Sequence, residues 1–458
     1  MNEKSQSEVF KYKFRSLLQA HYTNAAFFHQ LCSSFMIHIN QFRNNATEII
    51  ERLAIRGLDA AETVHNILNT DTASREARSQ MERDQNRCNV IAKEIGEMMK
   101  SGRKNEAEPL KGESSALKEG LKSLESKVAE LELALRDLII SLPNTPQLNV
   151  PKGKDAESNV VVSTWGAPAI MPVGALPHWE LAKKYDIIDF ELGVKIAGAG
   201  FPVYKGKGAK LQRALINFFL NEADKAGYME IQPPIVVNAE SGFGTGQLPD
   251  KEGQMYYMPV DDLYMIPTAE VPVTNIYRDV ILEESQLPIK NCAYTPCFRR
   301  EAGSYGAHVR GLNRLHQFDK IEIVQIVKPE TSNMVLETMQ EYVQSLLQKL
   351  GLHYHVLLLC GGDMGFTSAK TYDLEVWSGA QEKWLECSSV SNFEGFQTNR
   401  LKCRYRNSDG KIEQTHSLNG SALALPRIVA AILENYQTED GIVVPEVLRP
   451  YTGFDMID

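Results

Sequence analysis

The chain has 458 residues, of which 43% are hydrophobic and 23% are charged. This balance is typical of globular proteins and excludes collagen-like, disulfide-dense and wholly disordered chains, while the length favours roughly two to four domains. The 49 Lys and Arg residues against 58 Asp and Glu residues give a net charge of −9, which argues against a uniformly basic nucleic-acid-binding surface. No run of about 18 apolar residues is present, so no membrane-spanning helix is expected.

The cysteine pattern indicates the redox environment. The seven cysteines are odd in number and scattered, and no two of them form a CxxC pair. This pattern favours reduced thiols in the cytoplasm over a disulfide framework, and it offers no zinc-ligand cluster. The N-terminus also lacks the long apolar stretch of a secretory signal. The cysteines are Cys32, Cys88, Cys292, Cys297, Cys360, Cys387 and Cys403.

Residues 74–140 predict a helical hairpin. Their apolar residues recur every three or four positions in two runs, which is the seam of a coiled coil. Between the runs lies SGRKNEAEP (101–109), where Gly102 and Pro109 are expected to break the helix. Each arm of about 28–30 residues would reach roughly 40–45 Å. The seam residues are Ala77, Met81, Cys88, Ile91, Ile95 and Met98, then Leu117, Leu121, Leu124, Val128, Leu131, Leu135 and Leu138.

A proline-rich and polar linker at 141–159 separates this hairpin from a different pattern. Beyond it, short β-like runs alternate with helical stretches, which predicts an α+β domain with a mostly antiparallel sheet over residues 160–458. The β-like runs include 228–237, 292–300 and 316–327, and the helical stretches include 210–226 and 331–350.

Two of these β-like runs carry groups suited to chemistry. Alternation places Arg299 and Glu301 on one face of the first run. In the second, it places His316, Phe318, Lys320 and Glu322 on one face, with Ile321 and Ile323 on the other. A glycine-rich, basic loop joins the two runs. The alternative is a surface hairpin with cross-strand ion pairs of little energetic value.

Two further segments favour a ligand site. In WLECSSVSN (384–392), Glu386 and Ser389 supply the hard oxygen atoms that Mg²⁺ prefers, although a serine-rich turn is the alternative. Residues 419–437 predict a strand that runs into a helix, with Pro426 in the first helical turn. Arg427 then lies at the helix start, where a cation does not stabilise the helix, so a ligand-facing role is expected.

Together these segments resemble the class II aminoacyl-tRNA synthetases, specifically the seryl-tRNA synthetases of the bacterial type. Residues 227–237, with Pro234, resemble the first motif of the class, 297–324 the second and 419–437 the third. The likeness runs from about Met36 to the end. Segments typical of the serine enzymes are GFGTGQLP (242–249), TAEVPVTN (268–275) and KTYDLEVW (370–377).

The resemblance implies an α+β fold, with an antiparallel class II sheet flanked by helices and an N-terminal antiparallel coiled-coil arm. It implies a helical tRNA-binding arm at 36–145 and a catalytic domain at 146–458. The implied activity is that of a serine–tRNA ligase, which makes seryl-adenylate from L-serine and ATP, releases pyrophosphate, and transfers serine to tRNA(Ser), and also to tRNA(Sec). The implied partner is a second copy of the chain, with no membrane involved.

The resemblance also implies roles for individual residues, among which Arg299, Glu386 and Arg427 are catalytic. Arg299 would grip the α-phosphate and the amino acid carboxylate, and Glu386 and Ser389 would hold Mg²⁺. Phe318 and Arg427 would sandwich the adenine. The implied ATP-binding set is Arg299, Arg300, Glu301, Leu315, Phe318, Glu386, Cys387, Ser388, Ser389 and Arg427.

The implied serine pocket works by hydrogen bonding and size. Glu322 would accept the serine hydroxyl, so that alanine is rejected because a buried hydrogen bond would stay unmade. Threonine would be excluded by size, and no zinc is expected. The implied serine-binding set is Thr268, Ala269, Glu270, Arg299, Glu322, Asn419 and Ser421.

Two departures and two alternatives accompany the resemblance. Residues 1–35 have no counterpart, which indicates either an over-extended gene start with Met36 as the initiator or a genuine appendage. Cys387 stands where an aliphatic residue is more usual. One alternative is a synthetase-like enzyme that charges a carrier protein, which the coiled-coil arm disfavours. The other is an inactive RNA-binding paralogue, which the intact ATP and serine positions disfavour.

Overall fold

A computed structural model describes residues 39–250, 253–301 and 310–458 of the chain. The interpretations of residues 1–35, and of most of the glycine-rich loop after Glu301, fall outside these residues. The helices are α1 (Ile39–Ala54), α2 (Ala61–Lys100), α3 (Lys104–Ser141), α4 (His178–Lys184), α5 (Phe190–Ile196), α6 (Gly206–Lys225), α7 (Ala239–Thr245), α8 (Glu270–Asn275), α9 (Ser332–Lys349), α10 (Gly395–Leu401), α11 (Leu425–Asn435) and α12 (Arg449–Thr452).

An eight-stranded sheet in the order β1-β11-β12-β13-β16-β10-β9-β4 dominates the fold. Its neighbours pair antiparallel except β4 with β9, so the expected antiparallel sheet is confirmed. The strands are β1 (Val160–Trp165), β2 (Ile188–Asp189), β3 (Val203–Tyr204), β4 (Met229–Glu230), β5 (Val236–Val237), β6 (Tyr257–Met258), β7 (Leu263–Met265), β8 (Ile281–Glu283), β9 (Ile289–Phe298), β10 (Gln317–Val327), β11 (Tyr354–Leu358), β12 (Lys370–Ser378), β13 (Lys383–Glu394), β14 (Arg404–Arg406), β15 (Ile412–Gln414), β16 (His416–Ala424), β17 (Ile442–Val443) and β18 (Met456–Ile457).

The described chain divides into two compact units. Residues 39–46 and Ala60–Leu142 form the first unit, and Thr47–Asp59 with Pro143–Asp458 form the second. This division differs from a single boundary at residue 145 because the short segment 47–59 groups with the large unit. No helix in the described part of the chain is long and apolar enough to cross a membrane.

The first unit is built on the helical hairpin of α2 and α3, as the apolar spacing predicts. Seam residues from both runs are buried, among them Ile91 on α2 and Leu135 on α3. The helices have 40 and 38 residues, which is longer than predicted. The first turns of α2 were missed because Asp71 is buried in place of an apolar residue. Its carboxylate accepts hydrogen bonds from Arg43 at 2.6 and 2.8 Å.

The break between the two helices is shorter than expected. It comprises residues 101–103, with Gly102 at φ +77°, and Pro109 lies inside α3. The prediction that Pro109 breaks the helix is therefore wrong. Pro109 is the sixth residue of α3, so it removes one intrahelical hydrogen bond, to the carbonyl oxygen of Asn105, and the helix continues past it.

The large sheet separates a hydrophobic core from a polar face. Ile321 and Ile323 of β10 are fully buried in the core, while Phe318, Lys320 and Glu322 line a cavity on the other face. This is the alternation predicted for that run. Helices α6, α9 and α11 contribute Leu215, Leu336, Val429 and neighbouring side chains to the core.

The predicted β-like run 228–237 forms only two two-residue strands, β4 and β5. Pro233 and Pro234 lie between them. Proline has no N–H to donate to a sheet, so a continuous strand cannot pass through this pair.

The short segment 47–59 is tied to the large unit through Arg56. Its guanidinium donates to the carbonyl oxygens of Asn144 at 2.9 Å, Met364 at 3.0 Å, Gly365 at 3.0 Å and Ser368 at 2.6 Å. Burial lowers the pKa of Arg56 to about 10. These bonds join parts of the chain that lie far apart in sequence.

Candidate active site

A polar cavity of about 510 Å³ lies on the exposed face of the large sheet. Side chains from β10, β12, β13 and β16 line its floor, and Arg427 at the start of α11 lines its edge. It brings together residues from the segments 242–249, 268–275, 297–324, 370–377, 384–392 and 419–437, but none from 227–237 or from the helical arm. The expected residues that line it are Thr268, Glu270, Arg299, Glu301, Leu315, Phe318, Glu322, Glu386, Cys387, Ser388, Ser389, Asn419, Ser421 and Arg427.

Two of the expected residues do not line the cavity. Ala269 is fully buried in a small apolar cluster with Val273 and Val324, beneath Thr268 and Glu270. Arg300 lies two residues beyond the end of β9, and its side chain is exposed. The backbone N–H of Arg300 donates to the carbonyl oxygen of Gln254 at 2.8 Å. Both were expected from the resemblance, Ala269 in the serine-binding set and Arg300 in the ATP-binding set.

A buried ion pair forms one part of the cavity wall. The Nζ atom of Lys320 lies 2.6 Å from Oε2 of Glu322 and donates to Oγ1 of Thr268 at 2.9 Å. The exposed fractions of the Lys320 and Glu322 side chains are 7% and 2%. Across the sheet, Glu322 is paired in register with Ser421. A carboxylate, an ammonium group and hydroxyl groups therefore converge in one part of the cavity wall.

Glu270 adds a second buried carboxylate to the same wall. It accepts a hydrogen bond from Nε2 of Gln397 at 2.5 Å, and Oε1 of Gln397 in turn accepts one from Ser417 at 2.7 Å. Burial, followed by the charge of Glu322, raises the pKa of Glu270 to about 7. The ionisation of this carboxylate is therefore sensitive to a cation bound beside it.

A second acidic group lies along β12 and β13. Asp373 and Ser389 are paired in register, and Glu386 lies close enough for its charge to act on Asp373. Burial and the charge of Glu386 raise the pKa of Asp373 well above its usual value. The Oδ1 atom of Asp373 is buried and accepts no hydrogen bond. A cation bound beside these carboxylates would favour their ionised form.

Arg427 and Arg299 are the cations of the cavity edge. Arg427 donates to the carbonyl oxygens of Asn313 and Glu386, and its Nη1 lies 3.5 Å from Oε2 of Glu386. The guanidinium of Arg299 lies above the Phe318 ring, 5.2 Å from the ring centroid. The hydrogen bonds of Arg427 hold its guanidinium beside Glu386.

Glu301 is also held in place by a cation. Its Oε2 lies 2.8 Å from Nε of Arg314, and its backbone has a φ of +46°. Both side chains line the cavity. This part of the cavity thus combines guanidinium groups, which pair well with anionic oxygen atoms, with a carboxylate.

Three cavity-wall residues or their supports were missed as functional residues. Lys320 was placed on the correct face by alternation, but nothing in the sequence indicates that its partner is Glu322. Asp373 lies in the segment 370–377, which resembles the serine enzymes. Thr371, Asp373 and Glu375 occur at every second position there, and this pattern could have indicated a polar face of the strand. Gln397 contacts Glu270 from 127 residues away, which no local pattern reveals.

Comparisons with known proteins agree with this geometry. Residues 258–436 match the family model of the tRNA synthetase class II core domain (G, H, P, S and T), and residues 36–146 match that of the seryl-tRNA synthetase N-terminal domain. The serine–tRNA ligase of Salinibacter ruber is 50% identical over 92% of this chain and 99% of its own length. That of Akkermansia muciniphila is 46% identical, again over 92% of this chain and 99% of its own.

Solved structures give the same result. The seryl-tRNA synthetase of Pyrococcus horikoshii complexed with ATP has a TM-score of 0.86 and 33% identity, covering 92% of this chain and 99% of that one. The cytoplasmic serine–tRNA ligase of Naegleria fowleri in complex with AMP has a TM-score of 0.82 and 28% identity, covering 92% and 98%. The chain therefore belongs to the seryl-tRNA synthetases of class II, and the expected fold class, with its helical arm, is confirmed.

Proposed function

We propose that the cavity on the large sheet is the site at which this chain joins serine to AMP before transferring it to tRNA. The chain is an ATP-dependent serine–tRNA ligase, the activity of its family. The observation that carries the assignment of the site is the convergence of Glu322, Arg299 and Glu386 in one cavity, although they lie on separate strands or loops.

Serine would bind beside the buried ion pair. Its hydroxyl would donate to Glu322, whose Oε2 lies 2.6 Å from Nζ of Lys320. Its ammonium group would lie near Glu270, with Thr268, Asn419 and Ser421 completing the pocket. A substrate without the hydroxyl leaves a buried acceptor unpaired, which is why alanine would be a poor substrate.

ATP would occupy the part of the cavity between Arg299 and Arg427. As the serine carboxylate attacks the α-phosphorus, negative charge grows on the phosphoryl oxygens, and Arg299 is placed to stabilise it. Phe318 would stack on the adenine, and Glu301 and the backbone of Leu315 would contact its edge. The ATP in the P. horikoshii relative supports a nucleotide in this site.

The residues of β12 and β13 fit the Mg²⁺ that ATP carries in this class. No group of three or more His, Cys, Asp or Glu side chains in the three described ranges is arranged to hold a metal ion alone. A Mg²⁺ that takes most of its ligands from phosphates and water needs only one or two protein ligands. Glu386 and Ser389 would hold it, and the unpartnered Oδ1 of Asp373 fits a cation nearby. Bound there, Mg²⁺ supplies positive charge to the phosphate oxygens.

The arm, the dimer and the cellular location complete the proposal. The hairpin of α2 and α3 would contact the backbone of tRNA(Ser), and of tRNA(Sec) where that tRNA exists, by shape and a few cations.

Two copies of the chain would form a homodimer, as the first-motif likeness around Pro234 suggests. The six described cysteines form no disulfide among themselves, which suits the cytoplasm.

Amino-acid-dependent ATP–pyrophosphate exchange tests the assignment of the site. Serine should support exchange, while alanine, glycine and threonine should not, and Glu322→Gln should reduce exchange with serine by at least about 100-fold. Retention of full exchange in Glu322→Gln would contradict the placement of serine. Adding tRNA(Ser) and then tRNA(Sec) to the wild type measures the acceptor range separately.

A further inference from the structure

Behind the nucleotide end of the cavity lies a buried histidine that no part of the proposed mechanism uses. His178 is the first residue of α4, and both it and Glu434 on α11 are fully buried. The Nδ1 atom of His178 lies 2.8 Å from Oε1 of Glu434. Its Nε2 atom accepts a hydrogen bond of 2.8 Å from the backbone N–H of Leu312.

These two contacts fix the form of the imidazole. A backbone N–H can only donate, so Nε2 carries no proton, and the ring proton resides on Nδ1, where it is donated to the carboxylate. Burial alone would raise the pKa of Glu434, but the hydrogen bonds from His178 and Ser378 outweigh it and hold the pKa below its usual value. The ring is therefore neutral, oriented, and an acceptor toward Leu312.

The acceptor holds a segment that faces the nucleotide. Leu312 and Asn313 both line the cavity. Nδ2 of Asn313 donates to Oε1 of Gln381 at 3.0 Å, and Nε2 of Gln381 donates to Glu434 at 2.8 Å. The Asn313 carbonyl oxygen accepts a hydrogen bond from Nε of Arg427 at 3.4 Å.

This arrangement closes a ring of hydrogen bonds. The ring runs from Glu434 through His178, Leu312, Asn313 and Gln381 back to Glu434. Arg427, on the same helix α11 as Glu434, is joined to this ring through the Asn313 carbonyl oxygen. The imidazole of His178 is closely packed against the backbone of Gly311. A Cβ atom on Gly311, which has a φ of +68°, would lie 2.3 Å from Nε2 of His178.

We propose that His178 is a positioning residue for ATP: its unprotonated Nε2 holds Leu312 and Asn313 in the place where they contact the nucleotide and where Asn313 orients Arg427. His178 acts through this segment and does not touch the substrate. The inference rests on the proposed assignment of the cavity to ATP and serine.

The test distinguishes the hydrogen bond made by Nε2 of His178 from the one made by Nδ1. In His178→Gln the amide oxygen can replace Nε2 as the acceptor for Leu312, whereas in His178→Asn the amide can replace only the Nδ1 contact to Glu434. We expect His178→Asn to raise the KM for ATP in pyrophosphate exchange by about ten-fold, because a buried N–H loses its partner. His178→Gln should stay within about three-fold of the wild type, and the KM for serine should change by less than about two-fold in both.

Thermal unfolding of the same proteins provides the structural comparison. The matched control is Tyr436→Phe, at the residue just after α11. It removes the hydrogen bond from the tyrosine hydroxyl to the carbonyl oxygen of Leu350 and leaves the cavity untouched. It should lower the Tm without changing the KM for ATP. Equal effects of the two His178 variants, or parallel changes in both KM values, would overturn the proposal. Failure of the proposed function is distinguishable, because the wild type would then show no serine-dependent exchange.

Discussion

At the scale of single residues, the cavity combines two buried carboxylates, Glu270 and Glu322, with one buried cation, Lys320. Lys320 forms a close ion pair with Glu322, whereas burial and the charge of Glu322 raise the pKa of Glu270. In the proposed binding mode, the ammonium group of serine would supply the second positive charge. Serine binding would then be coupled to the ionisation of Glu270.

This coupling predicts a pH dependence of serine binding. The pKa of Glu270 is raised to about 7, so the carboxylate is protonated below that pH and negatively charged above it. A positively charged serine ammonium prefers the ionised form, so the KM for serine should rise as the pH falls through 7. Pyrophosphate exchange between pH 6 and 8.5 measures this, with the KM for ATP as the reference.

Glu270→Gln is the control for that dependence, because it keeps the shape of the side chain and cannot ionise. Its KM for serine should be high at all pH values and should lack the change near pH 7. A variant that retained the pH dependence of the wild type would show that another group is responsible.

Lys320 gives a second prediction at this scale. Lys320→Met would leave Glu322 buried without its cation, which costs about 3–5 kcal/mol for a buried pair broken on one side. We expect a loss of at least about 100-fold in kcat/KM for serine, with a smaller effect on the KM for ATP. Lys320→Arg keeps the charge and should recover part of the activity. Equal losses in both variants would indicate that packing, and not charge, is the cause.

The difference between the predicted and observed site is also a matter of single residues. Arg299, Glu322, Glu386 and Arg427 could be found because their local patterns match motifs of a known class. Gln397 and the ring around His178 could not, because their contacts join residues 53 to 256 positions apart. Such pairing depends on the tertiary fold and leaves no period in the sequence.

At the scale of elements, apolar spacing predicted the hairpin but not its length. A buried Asp71, paired with Arg43 at 2.6 Å, interrupts the apolar seam and conceals the first turns of α2. Strand alternation was accurate for β10 because one face is buried in the core and the other lines the cavity. The prediction of a continuous strand over 228–237 was wrong, because it relied on the β-like residue composition and not on the N–H groups that Pro233 and Pro234 lack.

The hairpin permits a prediction that separates its stability from catalysis. Leu135 is 5% exposed in the seam, and Leu135→Ala should destabilise the first unit by about 2–5 kcal/mol through loss of burial and formation of a cavity. Pyrophosphate exchange should stay within about two-fold of the wild type, because all cavity residues belong to the second unit. Circular dichroism melts and exchange assays measure the two effects.

Leu133→Ala is the matched control on the same helix, since its side chain is 42% exposed. It should change the melt far less than Leu135→Ala. A large loss of exchange in Leu135→Ala at a temperature where the arm is folded would contradict the separation.

At the scale of the whole molecule, the net charge of −9 is combined with a tRNA substrate. The polyanion must therefore be met by local cations. Lys100, Arg103 and Lys104 lie at the turn of the hairpin, where an RNA backbone could reach them. Replacing all three with glutamine should reduce kcat/KM for tRNA charging by about ten-fold and weaken its salt dependence, while exchange stays unchanged.

Removing negative charge from the same region provides the opposite control. Glu106→Gln combined with Glu108→Gln leaves the cations in place, so charging should be equal or stronger. Loss of charging in that variant would show that the structure of the turn, and not its positive charge, matters for tRNA.

The hydrogen bonds of Arg56 also bear on the order in which parts of the chain can fold during synthesis. Its partners at Met364, Gly365 and Ser368 lie 308 to 312 residues later in the chain. A ribosome that adds 5–20 residues per second needs on the order of 15 to 60 s to cover that distance. The whole helical hairpin is synthesised in that interval. Arg56 can therefore form the bond to Asn144 early, but its bonds to Met364, Gly365 and Ser368 form only after most of the second unit has been synthesised.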